Sequence, residues 1–189
     1  MLSKYNATAT FMAIQQFLTP AHDQDVIRLF REGHEMANHG VQDKAMSNTK
    51  DYPTADTFAD AVKGCNTRIE ELQEKARQGQ KDGDSLSISR GYTTLMERGL
   101  EKLDMYNVMC DAYAVDPIVE NGAWIARSLE RQAKDGSIIL IHMPERGFRE
   151  YCLTALKLLL EKLCVEKGYK IVTVSELQRI SREQAEAEP

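Results

Sequence analysis

The feature that most constrains this fold is an alternation of short strand-like segments with longer helix-like ones. Runs of β-branched and apolar residues predict strands at 7–14, 85–89, 137–142 and 169–174, and strands that run into loops at 34–40 and 105–117. Apolar residues spaced three to four apart predict helices at 23–33, 54–76, 93–103, 122–136, 149–168 and 175–189. Alternation of this kind builds βαβ units. The sequence therefore predicts an α/β fold with a mainly parallel sheet, either open or closed.

Three of these segments carry sharper expectations. The sequence "SIILIH" at 137–142 is the clearest candidate for a buried strand. The helix over 122–136 is expected to end at Gly136, as the helix over 23–33 is expected to end at Gly33. In parallel α/β folds the chemistry collects where strands end, which directs attention to His39 and His142.

Composition excludes several classes of function. The chain has 189 residues, enough for one core of ordinary size, and a net charge of −5 with no Lys/Arg cluster. Binding to nucleic acid through phosphate neutralisation is therefore not expected. No apolar run has membrane-spanning length, so no membrane partner is expected. The first fourteen residues lack the order of a signal peptide, so the chain as given is expected to be cytoplasmic, with loss of a leader as the alternative.

The cysteines are predicted to be buried free thiols rather than disulfides or metal ligands. They show no CxxC pair and no tight spacing. Three lie in predicted helices or helix-like segments and one in a predicted strand, at Cys65, Cys110, Cys152 and Cys164.

A histidine-rich segment at 30–44, "FREGHEMANHGVQDK", raises the question of a metal site. His34 and His39 are five residues apart, about 140° around a helix, whereas a zinc-protease helix needs a spacing of four. His39 and Asp43 are four apart and offer the nitrogen and oxygen donors that a divalent ion such as zinc takes. On spacing alone, a surface hydrogen bond or a polar loop is the favoured alternative.

Other single residues stay open between structural and functional roles. His142 ends a predicted strand and would face the mouth of the sheet, but a packed structural histidine is an equal alternative. Asp116 precedes Pro117, a pair that is as typical of a turn as of a site. Trp124 lies on a predicted helix, where a core position is favoured over a ligand platform. His22 is expected to be inert.

Several ordered motifs resemble the polysaccharide deacetylase family, the NodB homology domain. The segment "SKYNATATFMAI" is similar to the family's "KKYxVKATFF" strand, and "LFREGHEMANHG" to its "GHExxNHT" motif. The segment "VDPIVENGAWIARSLERQAKDGSIILIHMPE" resembles the fourth and fifth motifs, and "TALKLLLEKLCVEKGYKIVTVSEL" the closing helix and strand. The resemblance runs from Ser3 to Leu177. It implies one deacetylase-like domain over 1–177, followed by a frayed helical acidic tail at 178–189.

The resemblance implies a distorted (β/α) barrel that hydrolyses the N-acetyl group of an acetylated, chitin-like carbohydrate with a divalent metal, zinc in the family pattern. His39 and Asp43 take the places of metal ligands, in the branch with His-x-x-x-Asp. His142 takes the place of the catalytic acid and Asp116 that of the residue orienting it. The remaining family positions fall on Arg90, which would position the base, and on Tyr92 and Trp124, which would contact substrate. We expect His39, Asp43 and His142 to converge in one pocket at the rim of the sheet.

The sequence also departs from the family pattern. The motif Thr-Phe-Asp-Asp-Gly-Pro, which supplies the base and a metal carboxylate, is absent, and Met143 stands where an Asp normally follows the histidine. The third motif survives only as residues 89–92. The resemblance therefore predicts an N-terminally truncated chain that lacks the first barrel strand, has weak or absent activity, and exposes a strand edge open to self-association. The alternatives are a catalytically inactive carbohydrate-binding or scaffold protein of the same fold, and an unrelated α/β protein.

Overall fold

The computed structural model describes residues 1–43, 50–77 and 93–187, together with the backbone of residues 86–87. Within this part of the chain, contacts group the residues into two compact units. The first unit is Ala9–Met109, and the second unit combines Met1–Thr8 with Cys110–Pro189. Each is described by itself.

The first unit is built on parallel strands in chain order. They are β1 (Thr10–Ala13), β2 (Glu35–Asn38), β3 (Leu86–Ser87) and β4 (Tyr106–Asn107). Thr10 lies opposite Glu35, and the register continues to Ala13 opposite Asn38. Every pairing is parallel, as the alternation predicted. Parallel neighbours need crossover connections, which the helices supply.

The helices of the first unit bury the apolar faces that the periodicity marks. They are α1 (Asp23–Arg31), α2 (Ala55–Arg77) and α3 (Thr94–Glu101). The α1 helix is followed by Gly33 at φ 84°, the left-handed conformation that favours glycine, which confirms the predicted stop. One face of α2 is buried at positions three to four residues apart, Phe58, Val62, Cys65, Ile69 and Leu72.

The second unit packs two parallel strands against a helical pair. Its elements are β5 (Ala112–Tyr113), α4 (Gly122–Gln132), β6 (Ile139–Leu140), α5 (Glu150–Leu160), a π-helical segment (Glu161–Glu166) and α6 (Val174–Ala187). The core lies between α4 and α5 and is formed by Ala112, Ala114, Ile125, Ala126, Leu129, Ala155, Leu159 and Leu163. Gly122 permits this close packing, because a Cβ there would lie 2.5 Å from the backbone oxygen of Tyr151.

Two strand predictions in the second half need correction. Residues 105–117 form two short strands, β4 and β5, rather than one strand. The pairing of β5 with β6 begins at Ala112 opposite Ile139, and just before it the Asp111 carboxylate accepts the Ile138 N–H at 2.7 Å. The "SIILIH" strand is only two residues long, and its side chains are half-buried instead of fully buried. Ile139 and Ile141 pack against the α4–α5 core, a role that does not require a long hydrogen-bonded ladder.

The end of one helix and one further strand also differ from the predictions. The α4 helix ends at Gln132 because Ala133 is extended, and Gly136, at φ 79°, lies in the turn that follows. Residues 169–173 are described but form no strand, and Val174 already belongs to α6. The Thr173 hydroxyl accepts the Glu176 N–H at 3.3 Å, so this segment provides a helix start instead of a strand end.

The four cysteines are free thiols, as predicted. Cys65 and Cys152 are buried, whereas Cys110 and Cys164 are only half-buried. Burial raises the pKa of all four thiols. Across the described ranges, none of the helices combines the length and the apolar character needed to cross a membrane.

Candidate active site

A buried carboxylate and a histidine form a hydrogen-bonded pair in the second unit. Asp116 follows β5 and is 1% exposed, and His142 follows β6. The His142 Nδ1 lies 2.8 Å from Asp116 Oδ1, and the His142 backbone N–H donates to Asp116 Oδ2 at 2.6 Å. Because β5 and β6 are parallel neighbours, their carboxyl ends bring the two residues together. The sequence resemblance had paired the same two residues.

The first turn of α5 secures Asp116 from a second direction. The Tyr151 hydroxyl donates to the Asp116 backbone oxygen at 2.8 Å. The Cys152 thiol donates to Asp116 Oδ2 at 3.5 Å. The preceding residue, Val115, has φ 51°, a left-handed conformation that is costly for a β-branched side chain. These hydrogen bonds hold the strained turn that carries Asp116.

The electrostatics of the pair favour an ionised carboxylate. Burial alone would raise the pKa of Asp116, but the hydrogen bonds from His142 outweigh it, and the pKa lies below its usual value. An ionised carboxylate can only accept, so the hydrogen bond to Oδ1 places a proton on His142 Nδ1. The His142 side chain is 22% exposed. Part of the imidazole is therefore accessible to solvent or to a ligand.

His39 lies in the first unit, directly after β2. Its backbone N–H donates to the Ala13 oxygen at 2.7 Å. The preceding Asn38 is fully buried, donates to the Val62 oxygen on α2 at 2.9 Å, and accepts the Gly40 N–H at 2.8 Å. Asn38 thus fixes the turn from β2 into the loop that carries His39. Sequence reasoning did not single out Asn38, although a polar residue at a predicted strand end was a usable signal.

Asp43 is exposed, in a bend four residues after His39. The imidazole of one and the carboxylate of the other have the donor chemistry that a divalent metal takes. Within residues 1–43, 50–77 and 93–187, however, no three His, Cys, Asp or Glu side chains come together as a metal-binding group. Catalytic zinc usually takes three protein ligands. The described residues therefore do not make up a complete metal site.

The predicted convergence of His39, Asp43 and His142 stays a prediction. The first two residues belong to the first unit and the third belongs to the second unit.

The other histidine of the 30–44 segment has a structural role. His34 is buried before β2, accepts the Ala9 N–H on Nδ1 at 3.2 Å, and packs edge-on to Phe11 with ring centroids 5.5 Å apart. Burial lowers its pKa. Because β2 separates His34 from His39, the segment is no protease helix, as the spacing had predicted.

The remaining predicted site residues fall in different places. Trp124 is 45% exposed on α4, so the expectation of a core position is wrong. The Asn121 side chain caps α4 by accepting the Trp124 backbone N–H at 2.9 Å. The Trp124 side chain lies on the outer face of the helix, since Ile125 and Leu129 are buried on the inner face. Arg90 and Tyr92 lie outside the described residues.

Sequence reasoning missed Tyr151 and Cys152. Both were placed in a predicted helix, but nothing in their spacing indicated contact with Asp116, which lies 35 and 36 residues earlier. Only the three-dimensional packing of α5 against the β5 end shows it.

Comparison with known proteins shows a similarity to polysaccharide deacetylases. The polysaccharide deacetylase family model matches residues 1–79. A peptidoglycan-N-acetylglucosamine deacetylase from Bacillus cereus is 28% identical over 179 residues, which cover 95% of this chain and 79% of that protein.

Solved structures show the same fold. A family 4 acetyl xylan esterase from Clostridium thermocellum, solved with a cobalt ion, has a TM-score of 0.76 at 23% identity, covering 96% of this chain and 82% of that one. A carbohydrate esterase family 4 pseudoenzyme from Bacillus anthracis has a TM-score of 0.73 at 20% identity, covering 93% and 57%. The predicted fold class, the α/β deacetylase type of distorted barrel, is confirmed by these neighbours and by the parallel strands and helices of the chain.

Proposed function

We propose, from the similarity of the chain to the polysaccharide deacetylase family, that it hydrolyses the N-acetyl group of an acetylated, chitin-like polysaccharide or oligosaccharide. The family supports polysaccharide deacetylation in general, and the N-acetyl group of a chitin-like substrate is the finer proposal. The observation that carries the finer proposal is the Asp116–His142 pair, with Nδ1 2.8 Å from a buried carboxylate. A histidine oriented in this way is suited to moving a proton at its other nitrogen.

In the proposed reaction, water adds to the acetamide carbonyl and gives up a proton to solvent, the carbon–nitrogen bond breaks, and the products are acetate and a free amine. His142 acts as the general acid. In its protonated form it donates through Nε2 to the departing nitrogen, which leaves as a neutral amine. Its place at the end of β6 and its partial exposure support this role.

Asp116 is proposed to orient His142 and to stabilise the imidazolium. The carboxylate is buried and ionised, so the charged imidazole has a fixed opposite charge beside it. The backbone hydrogen bond from His142 to the same carboxylate adds a second attachment, which limits rotation of the ring relative to the strand.

His39 and Asp43 are proposed to contribute to a divalent metal site, zinc in the family pattern. A metal bound in such a site would polarise the water and the carbonyl oxygen. Because the described residues do not complete a ligand set, no step above depends on the metal. The cobalt ion of the clostridial esterase supports metal chemistry in a protein of this fold.

The substrate contacts proposed for this site are Tyr92 and Trp124. Arg90 takes the family position that orients the base, although the motif that supplies this base is absent from the given sequence. Trp124 supports its role by exposing an indole surface, which can pack on the apolar face of a sugar ring. The arginine and tyrosine assignments rest on the family pattern alone.

We further propose that a polypeptide of these 189 residues deacetylates weakly or not at all. The sequence contains no Thr-Phe-Asp-Asp-Gly-Pro motif. Loss of a general base lowers a rate on the order of 100- to 10,000-fold. The test is acetate release from acetylated chitooligosaccharides with added zinc. Slow release that His142→Gln abolishes supports the proposal, whereas fast release, or release that His142→Gln leaves intact, contradicts it.

A second candidate function is a catalytically inactive carbohydrate-binding or scaffold protein. Met143 in place of an Asp, the incomplete ligand set, and the fold shared with a pseudoenzyme support it. Calorimetry with zinc and a chitooligosaccharide separates the candidates. Sugar binding that persists in chelator favours the binder, whereas tight zinc binding favours a retained metal site.

The extent of the domain, 1–177, and self-association through the β1 edge remain proposals. In the sheet as described, β1 is the terminal strand, and an open strand edge can pair with a second chain. Sedimentation across a concentration series tests this point, with a monomer at all concentrations as the contradicting result.

A further inference from the structure

Two adjacent residues of α5 also hydrogen-bond Asp116. Tyr151 bonds its backbone oxygen and Cys152 bonds its carboxylate. Cys152 is completely buried, and the carboxylate is nearly so. A buried thiol normally behaves as a small apolar group. Here, however, its sulfur faces a charged oxygen at 3.5 Å, which gives it a polar partner in the middle of the core.

The donors divide unequally between the two carboxylate oxygens. Oδ2 accepts from the His142 backbone N–H and from the Cys152 thiol, whereas Oδ1 faces the His142 ring nitrogen. Two donors on Oδ2 resist rotation of the carboxylate about its Cβ–Cγ bond. The carboxylate orientation that keeps both hydrogen bonds to Oδ2 is the one in which Oδ1 faces His142 Nδ1.

The sulfur is in the protonation state that this arrangement needs. Burial and the neighbouring Asp116 raise the pKa of Cys152 to about 11, so it is a thiol at neutral pH and can donate. A thiolate would repel the carboxylate.

We infer that Cys152 is a positioning residue, which acts through Asp116 to hold the carboxylate in the orientation that receives His142. The inference rests on the proposed role of His142 as the acid. It goes further by assigning the orientation of the pair to a thiol that does not contact the reacting atoms.

The alternative is that Cys152 only fills space. The two roles differ in the replacements that satisfy them. A space-filling role is met by Val, which replaces the sulfur by carbon and has no donor. A positioning role is met by Ser, which keeps a donor and is smaller than Cys.

The test measures the pKa of Asp116 by carbon NMR of its carboxyl group, in the protein without substrate or metal. The titratable and charged groups that act on this carboxylate and its α5 neighbours are His142, Cys152, Tyr151, Arg149 and Glu120. Cys152→Val and Cys152→Ala are expected to raise the pKa of Asp116 by about 0.5 to 1, because the ionised form loses a donor. Cys152→Ser is expected to keep the pKa of Asp116 close to its wild-type value.

The control is Cys164→Ala, a half-buried thiol in the π-helical segment of the same unit, which is expected to leave the pKa of Asp116 unchanged. If neither Val nor Ala raises the pKa, or if Ser raises it as much as they do, the inference is overturned. Because the measurement needs no turnover, it decides the role of Cys152 even if acetate release fails.

Discussion

Replacing Asp116 by Asn is the most informative single change, because it keeps the shape of the side chain and removes its charge. The carboxylate accepts from three donors, and an amide has one oxygen and one NH2 group to offer. If the NH2 group faced the His142 backbone N–H, two donors would oppose each other. The amide oxygen must therefore take the Oδ2 position, and the NH2 group must face His142 Nδ1.

This orientation forces a change of tautomer. An NH2 group at Nδ1 requires that nitrogen to be an acceptor, so the proton of neutral His142 moves to Nε2. Charge-assisted hydrogen bonds also become neutral ones, and we expect the free energy of unfolding at pH 7 to fall by about 1–3 kcal/mol. Nitrogen NMR of the imidazole reports the tautomer, and urea unfolding reports the stability.

The pH dependence gives an independent check. The pKa of folded Asp116 lies below its ordinary value of 3.8, so its stabilising contribution is complete above 3.8 and is lost as the pH falls through the folded pKa. The stability gap between wild type and Asp116→Asn should therefore narrow below pH 3.8.

Asp111→Asn is the matched control. Asp111 also accepts a backbone N–H, that of Ile138, but it is exposed and bonds Ser137 instead of a histidine. We expect this variant to leave the His142 tautomer unchanged. The derived amide orientation is wrong if His142 keeps its Nδ1–H tautomer in Asp116→Asn and the free energy of unfolding of this variant lies within about 0.5 kcal/mol of wild type.

Two further predictions concern stability. Burial lowers the pKa of His34 below its ordinary 6.5, so its contribution to stability is complete above 6.5 and is lost as the pH falls through the folded pKa. In His34→Gln, the free energy of unfolding in urea should depend less on pH between pH 5 and pH 7 than in wild type. An unchanged dependence on pH would count against the burial argument. Gly122→Ala should lower the free energy of unfolding by about 1–3 kcal/mol, because the new methyl group meets the Tyr151 backbone. Its control, Gly64→Ala, meets only the flexible Gln15 side chain and should stay within about 1 kcal/mol of wild type. Equal effects of the two glycine changes would refute the packing argument.

The helices were predictable because their apolar periodicity is long. The α2 helix repeats its buried positions over 23 residues, so its existence and its inner face follow from spacing alone. The strands of the second unit were harder to predict. A two-residue strand such as β6 leaves little pattern, and the apolar run around it reflects packing on α4 and α5.

The site was only partly predictable for a similar reason. Asp116 and His142 were paired through motif resemblance, and neighbouring parallel strands then brought them together. The contact from Cys152 depends on how α5 packs on the end of β5, which no local pattern encodes. Trp124 was misplaced in the core because an aromatic residue beside buried helix positions can face either way.

The central claim is that an acetylated carbohydrate binds against His142. Its most direct test is a titration of the protein with an N-acetylated chitooligosaccharide, followed by NMR of the histidine imidazoles. The exposed His22 and the buried His34 serve as internal controls. We predict saturable shifts of the His142 resonances with the other two unchanged. Binding that leaves the His142 resonances unmoved, or no binding at any oligosaccharide concentration, would contradict the claim.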